Sequence, residues 1–326
     1  MNAPALEVRD LVLSIGDRHR RWRVVDGVSF AVEGGRSIGI VGESGSGKSL
    51  TLRAIMALTP PAVRVDAGAV VLRGEEIPLR GRHARQARRG RLAMIFQDPL
   101  SSLDPVHPAG AQVAEIARRV GGLSRRAAWE RAVELFGLVG IREAGRRARD
   151  YPHQLSGGMR QRVMIALALA SEPDVLLCDE PTTALDVTVQ AQVLGLLDDL
   201  RERLNLALVF VSHDLAVVRT VCEDVAVMYT GRFFETGPAP RVLDRPWHPY
   251  TLGLRQAVVD IEDAGRPPRP IPGELPDPAR LPPGCSFNPR CPWADDACRH
   301  GEVVLRPLPE PGRATACLHY ERVPAP

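Results

Sequence analysis

Eight consecutive residues, Gly42-Glu43-Ser44-Gly45-Ser46-Gly47-Lys48-Ser49, fit the spacing G-x-x-x-x-G-K-[ST]. An apolar run (37–41, SIGIV) precedes them, and an apolar helical pattern from Leu50 to Leu58 follows. A loop in that setting holds phosphate. Its glycines let the backbone curl until the N–H groups face inward, and the helix N-terminus adds positive potential. Lys48 is placed to reach the β- and γ-phosphates and Ser49 to hold Mg²⁺. Lys48 is also the one lysine among 42 basic residues; the other 41 are arginine. A compact ammonium on a flexible stem serves where a planar guanidinium does not.

Residues Asp174 to Glu180 (DVLLCDE) form an apolar run that ends in two adjacent acids. Asp179 is placed to hold Mg²⁺ through water, and Glu180 to polarise an attacking water as general base. Loop and acids together imply metal-assisted transfer of a phosphoryl group to water, with charge stabilisation as the main component. Guanine specificity is disfavoured, because the Asn-Lys-x-Asp pattern that reads that base needs a second lysine.

These residues need elements to position them. Segments 6–15, 27–33 and 68–73 alternate apolar and polar residues and read as half-buried antiparallel strands. Segments 37–41, 92–96, 174–178 and 207–212 are short apolar runs, as in strands of a parallel sheet covered on both faces. Helical patterns lie between them, so the core is α/β. Residues 123–136 form an amphipathic helix with Ser124 as N-cap and Gly137 as C′ residue. With 110–120 it makes a small helical insert spanning about 100–158. The six arginines of 80–91 have no interleaved aromatic residues, and the stretch reads as a solvated loop rather than a nucleic-acid surface.

The chain has 326 residues, 44% of them apolar, and a net charge of +3. That length suggests two domains, and the balanced charge gives no reason to expect a nucleic-acid partner. No run approaches the roughly 18–20 apolar residues of a membrane span. Residues Met1 to Asp10 lack a basic-then-apolar leader, so the chain is expected to stay in the cytosol. Composition shifts near residue 238. Between Pro267 and Pro326 lie 15 of the 29 prolines and four of the six cysteines. Such a segment is either a disordered tail or a small domain held by something other than an apolar core. The stretch from Arg306 onward is compatible with partial disorder apart from Cys317.

Residues 155–162, Leu-Ser-Gly-Gly-Met-Arg-Gln-Arg, resemble the signature motif of ATP-binding cassette ATPases. Ser156, Gly157 and Gly158 open an apolar helix (Val163 to Ala170), a second helix start able to hold phosphate. The resemblance implies that this start meets the ATP of a partner subunit, two cassettes sandwiching two nucleotides head to tail. It assigns further roles. Gln97, in Phe96-Gln97-Asp98-Pro99, is similar to the loop glutamine that senses Mg²⁺ and the transmembrane partner. Asp186, in Ala184-Leu185-Asp186, is similar to the D-loop aspartate. His213, 34 positions after Asp179, is similar to the switch histidine on the γ-phosphate. The family stacks adenine on an aromatic residue near the end of the first strand, where this chain has Ile15; Trp22 and His19 are the candidate substitutes.

The resemblance narrows to the oligopeptide/dipeptide permease ATPases on Phe96 to Pro105, Tyr151 to Gly158, Met228 to Arg232, His248 to Thr251, Ile271-Pro-Gly and Gly284 to Cys291. It implies an ABC ATPase domain over 1–240, a mixed RecA-like sheet with an antiparallel β subdomain, and a permease-type extension over 241–326. It implies a subunit on the cytoplasmic face of the membrane, paired with a different ATPase subunit and two transmembrane permease subunits, and served by an external peptide-binding protein. An importer of nickel or another small solute is the alternative within the family. A soluble cassette protein acting on DNA or ribosomes is a further one; those usually carry two cassettes or long coiled-coil insertions, and this chain has neither.

Cys285, Cys291, Cys298 and Cys317 follow the spacing C-x5-C-x6-C-x18-C. Four thiolates in a proline-rich segment suggest a metal staple. The resemblance favours a [4Fe–4S] cluster; zinc and a pair of disulfides are the other readings. Cys178 and Cys222 sit in apolar settings and read as core residues.

Overall fold

The computed structural model describes residues 3–17, 20–97, 102–183, 185–257 and 269–324. Chain order begins β1 (Leu6–Gly16), β2 (Arg21–Val32), β3 (Ser37–Val41), α1 (Lys48–Ile55), β4 (Val63–Leu72), β5 (Glu75–Ile77), α2 (Gly81–Arg88) and β6 (Leu92–Ile95). It continues α3 (Ala109–Gly121), α4 (Arg125–Leu138), α5 (Ala144–Arg147), α6 (Gly157–Leu169), β7 (Val175–Asp179), α7 (Val187–Leu204) and β8 (Ala207–Ser212). It closes with α8 (Leu215–Val221), β9 (Asp224–Tyr229), β10 (Arg232–Pro238), α9 (Ala239–Asp244), α10 (Pro249–Ala257), α11 (Asp296–His300), β11 (Arg306–Pro307) and β12 (Ala314–Thr315). The fold is α/β, with a mixed sheet, an antiparallel sheet and helices.

The chain forms two compact units, interleaved in sequence. The first comprises Met1–Leu6, Val32–Arg36 and Val71–Val209. Its centre is the parallel pair β6–β7, registered from Leu92 opposite Val175 to Ile95 opposite Cys178. Every residue of both strands is buried, as the unbroken apolar runs predict. The helical insert is present as α3, α4 and α5. Ser124 caps α4 by accepting from the Ala127 N–H at 3.2 Å, as expected. Gly137 does not end that helix; α4 continues through Leu138, and Gly140, at φ +74°, takes the left-handed C′ position. The arginine-rich stretch contains a helix, α2, rather than only a loop. Arg88 is its anchor: the buried guanidinium donates to the carbonyls of Pro78 and Ala84, both at 2.6 Å.

The second unit comprises Glu7–Ala31, Ser37–Val70 and Phe210–Pro326. Here β3 runs parallel to β9, and β9 antiparallel to β10, so the sheet is mixed. The C-terminal segment joins the same sheet. β12 pairs with β10 (Glu235 opposite Thr315), and β11 pairs with β12. Arg306–Pro307 and Ala314–Thr315 therefore lie paired at the edge of that sheet, and the 3-10 turn Tyr320–Arg322 follows. Two-residue strands suffice there because the anchor is polar. Glu235 on β10 is fully buried and accepts from Arg313 Nη2 (2.8 Å), the Trp247 N–H (2.8 Å) and the His248 N–H (3.0 Å). The Arg313 side chain is 1% exposed and lies over the Trp247 ring, its guanidinium carbon 5.2 Å from the centroid. Among the described residues no helix is long and apolar enough to cross a membrane.

Candidate functional site

The phosphate loop belongs to the second unit and connects β3 to α1. Two of its glycines are demanded by geometry. Gly42 has φ +153°, and a Cβ there would lie 2.1 Å from the Met228 carbonyl oxygen. Gly47, at φ +110°, is the N-cap of α1, and a Cβ would lie 2.9 Å from the Val24 carbonyl oxygen. The curl is closed by Ser46 N–H donating to the Glu43 carbonyl at 3.2 Å and by Gly231 N–H donating to the Ser46 carbonyl at 2.8 Å. Lys48 is 5% exposed, and its Nζ donates to the Gly42 and Glu43 carbonyls at 2.7 and 2.9 Å. The Ser46 hydroxyl is buried with no hydrogen-bond partner among the described residues. A glycine-bearing loop that brings a lysine and an unanswered buried hydroxyl together ahead of a helix start fits a phosphate chain. Ser44, Gly45 and Ser49 complete the motif; Ser49 is the second residue of α1.

Glu43 is held from the C-terminal segment. Its backbone N–H donates to Tyr250 Oη at 2.8 Å, and its carboxylate takes both ends of the Arg290 guanidinium at 2.7 and 2.9 Å. His213 follows β8 and is exposed; Asp214 beside it caps α8 by accepting from the Ala216 N–H at 2.9 Å. Ile15, near the end of β1, is 37% exposed, and Trp22 near the start of β2 is half-buried.

The acidic pair belongs to the first unit. Asp179 ends β7 and is 3% exposed. Glu180 follows with φ +47°, a left-handed conformation for a non-glycine residue, which turns its side chain out of the strand's alternation. Gln97, just after β6, donates from Nε2 to Glu180 Oε2 at 3.1 Å. The Thr183 hydroxyl donates to the same carboxylate oxygen at 3.2 Å. Two neutral donors thus hold one oxygen of Glu180 and orient its carboxylate. Thr183 was not singled out by sequence; its position three residues past a strand-end acid is the signal that would have found it.

The signature motif is also in the first unit. Ser156 caps α6, accepting from the Met159 N–H at 3.3 Å. Ser156 and Gly157 are exposed, and a Cβ on Gly157 would meet nothing within 4 Å. Gly158 is different: its Cβ would lie 2.7 Å from Val189 Cγ1. Asp186 caps α7, accepting from the Val189 N–H at 2.9 Å, so the starts of α6 and α7 lie against each other. Asp98 to Ser101, Ala184 and His19 lie outside the described residues.

The four cysteines line one small cavity in the second unit, beside His248 and Phe287. None of the four is disulfide-bonded. Gly284, at φ +68°, lets the Cys285 N–H reach the Cys298 carbonyl at 2.8 Å. Burial pushes the Cys285 thiol up to about 11 and the Cys317 thiol up to about 12, and the neighbouring thiols add repulsion between thiolates. A cation among them would offset that cost. Among the described residues, one ligand atom each from Asp295, Cys298 and His319 lie within 4.8 Å of one another, a group able to hold a metal ion.

Residues 25–183 match the family described as ABC transporter, and residues 234–298 match the oligopeptide/dipeptide transporter C-terminal region. The probable peptide ABC transporter ATP-binding protein y4tR of Sinorhizobium fredii is 46% identical, covering 98% of this chain and 96% of its own. The oligopeptide transport ATP-binding protein OppD of Salmonella typhimurium is 43% identical, covering 96% and 93%. Among solved structures, the ATP-binding cassette MJ0796, in a dimeric post-hydrolysis state bound to ADP and Pi, superposes with a TM-score of 0.63 at 28% identity over 72% of this chain and 98% of that one. The chain belongs to the ABC transporter ATP-binding family, in the branch that carries the oligopeptide/dipeptide C-terminal region.

Proposed function

We propose that the chain is the ATP-hydrolysing subunit of an importer of di- or oligopeptides. The observation that carries this reading is the extent of the likeness: it covers the cassette and the C-terminal region alike, over nearly the whole length of y4tR and OppD. The cassette occupies about 1–240, with the helical insert at 100–158, and the permease-type extension occupies 241–326. The subunit sits on the cytoplasmic face of the membrane. It works with a second, different ATPase and two permease subunits, and an external binding protein delivers the peptide.

In this reading residues 42–49 wrap the triphosphate and Lys48 turns from the loop carbonyls to the β- and γ-oxygens. Ser49, Asp179 and Gln97 would hold Mg²⁺, which would supply positive charge against the phosphate. Glu180, held by Gln97 and Thr183, accepts a proton from the attacking water, and His213 donates to the γ-phosphate. Ser156, Gly157, Gly158 and Asp186 face the nucleotide of the partner cassette. Closure of the two cassettes on ATP drives the permease, and hydrolysis releases them. Cys285, Cys291, Cys298 and Cys317 would hold a [4Fe–4S] cluster that staples the proline-rich segment, with zinc as the alternative; their shared cavity and burial support a metal there.

The test is uptake of labelled di- and oligopeptides by cells lacking the gene, complemented with wild type or Glu180→Gln. Restoration by wild type alone supports the reading. Normal uptake without the gene, together with lost nickel or other solute uptake, replaces the substrate while leaving the ATPase in place. For the cluster, anaerobically purified protein should carry iron and inorganic sulfide that Cys298→Ser loses; zinc without iron overturns it.

A further inference from the structure

The phosphate loop carries a carboxylate, Glu43, at its second position. A negative charge there opposes the polyphosphate that the loop is built to hold. The structure answers it with a residue 247 positions away. Arg290 meets the carboxylate as a bidentate fork, the geometry in which charge-assisted pairs are strongest. Its side chain is 4% exposed against 29% for Glu43. Two further hydrogen bonds fix it: Nε donates to the Pro272 carbonyl at 2.8 Å, and Nη1 donates to Tyr229 Oη at 3.3 Å. The guanidinium carbon lies 5.9 Å from the Tyr229 ring centroid and 5.8 Å from that of Phe287. Tyr229 and Tyr250 pack with centroids 4.5 Å apart, and Tyr250 Oη accepts the Glu43 N–H. Leu275 also reaches the loop, its Cδ2 standing 3.4 Å from where a Cβ on Gly45 would be.

The backbone that carries Arg290 is hydrogen-bonded as well. It lies in the 3-10 turn Asn288–Arg290, immediately before Cys291. Its backbone N–H donates to the Phe287 carbonyl at 3.0 Å, and the Asn288 N–H donates to the Cys285 carbonyl at 2.8 Å. The turn that carries the arginine is therefore the loop between the first two cysteines of the cavity.

We propose that Arg290 is a positioning residue for nucleotide binding: it neutralises Glu43 and fixes the phosphate loop, so that ATP affinity depends on the fold of the four-cysteine segment. The proposal rests on residues 42–49 holding ATP. It makes the C-terminal region a working part of the nucleotide site, reached through the Glu43 carboxylate.

The test is equilibrium binding of trinitrophenyl-ATP with Mg²⁺ to the purified full-length chain, with thermal unfolding followed on each variant. Wild type binds and Lys48→Ala does not; failure of that control removes the loop assignment itself, separately from the role of Arg290. Arg290→Gln is expected to weaken binding about tenfold, because it frees an unneutralised carboxylate beside the triphosphate. Adding Glu43→Gln to Arg290→Gln is expected to restore affinity to within about twofold, since the repelling charge is gone. Removing the second partner also relieves an unpaired charge in the fold, so affinity is compared only at temperatures where the unfolding curves show every variant folded, and the rescue then reports charge and positioning. Should Arg290→Gln not fold, Arg290→Lys gives the same comparison: it keeps the charge, loses the fork, and is expected to weaken binding about threefold. Wild-type affinity in a folded Arg290 variant overturns the proposal, and so does a loss that Glu43→Gln leaves in place.

Discussion

Gln97 Nε2 lies 3.1 Å from Glu180 Oε2, a hydrogen bond that links the end of β6 to the end of the neighbouring parallel strand β7. Sequence places the two residues 83 positions apart. Glu180→Gln removes the acceptor for the water's proton, and general-base catalysis is worth about 10²–10⁴-fold. The expected result is loss of ATP turnover by that factor with ATP binding retained. Gln97→Ala removes the Nε2 donor from Glu180, and is expected to lower turnover about tenfold with a smaller change in KM, measured on the assembled complex.

Two glycines at nucleotide-binding motifs should separate stability from activity. Gly42→Ala drives a Cβ to 2.1 Å from the Met228 carbonyl at a φ of +153°. It should cost about 1–3 kcal/mol and abolish nucleotide binding. Gly157→Ala meets nothing within 4 Å. It should leave the melting temperature within a degree or two of wild type while lowering hydrolysis in the cassette pair. Equal destabilisation by both substitutions would contradict this assignment of roles.

The glycine-bearing turn at 42–49 was legible because its backbone restricts the residue types it admits. A Cβ is excluded at Gly42 and Gly47 by backbone atoms, so the pattern carries its own geometry. The buried strands were legible for a related reason: a strand covered on both faces admits few polar residues, and 37–41 and 207–212 were placed to the residue. Gly137 misled because a helix tolerates glycine at a modest cost, and the turn that ends α4 needs its left-handed residue three positions later, at Gly140. The run 80–91 hid a helix, because its buried anchor is an arginine that caps carbonyls rather than an apolar residue. The contacts of the C-terminal region were beyond sequence reading. Glu43 meets Arg290 across 247 positions, and Glu235 meets Arg313 across 78, and neither spacing has a local signature.

Glu235 and Arg313 form the polar anchor of that region. Arg313→Ala leaves a fully buried carboxyl group without the guanidinium that neutralises it. Breaking such a pair costs about 3–5 kcal/mol. The variant should melt several degrees lower, and β12 should lose amide protection first. The double variant Glu235→Gln/Arg313→Met removes both charges and should recover most of the loss.

His248 gives the region a pH dependence. It is buried; its Nδ1 accepts the Tyr250 N–H at 3.0 Å, and burial pushes its pKa from 6.5 down to about 3. Between those values the unfolded chain binds a proton that the folded chain does not. Stability therefore falls as pH drops below 6.5, by up to about 1.4 kcal/mol per pH unit from this group. Urea midpoints at pH 7.0 and pH 5.5 measure it. His248→Asn keeps a hydrogen-bond acceptor without titrating, and its midpoint should move less between the two conditions than that of wild type. Equal movement would assign the dependence to other groups.

Lys48 is the one lysine of the chain, and it lies 5% exposed at the start of α1 with its ammonium on two carbonyls of its own loop. A lysine-specific endoprotease consequently has a single peptide bond to cut, the one after residue 48, and must wait for that turn to open. The rate at which the native chain divides into two fragments is then a clock for the opening of the phosphate loop, readable on a gel without a label or a substitution, and whatever fills the loop slows it.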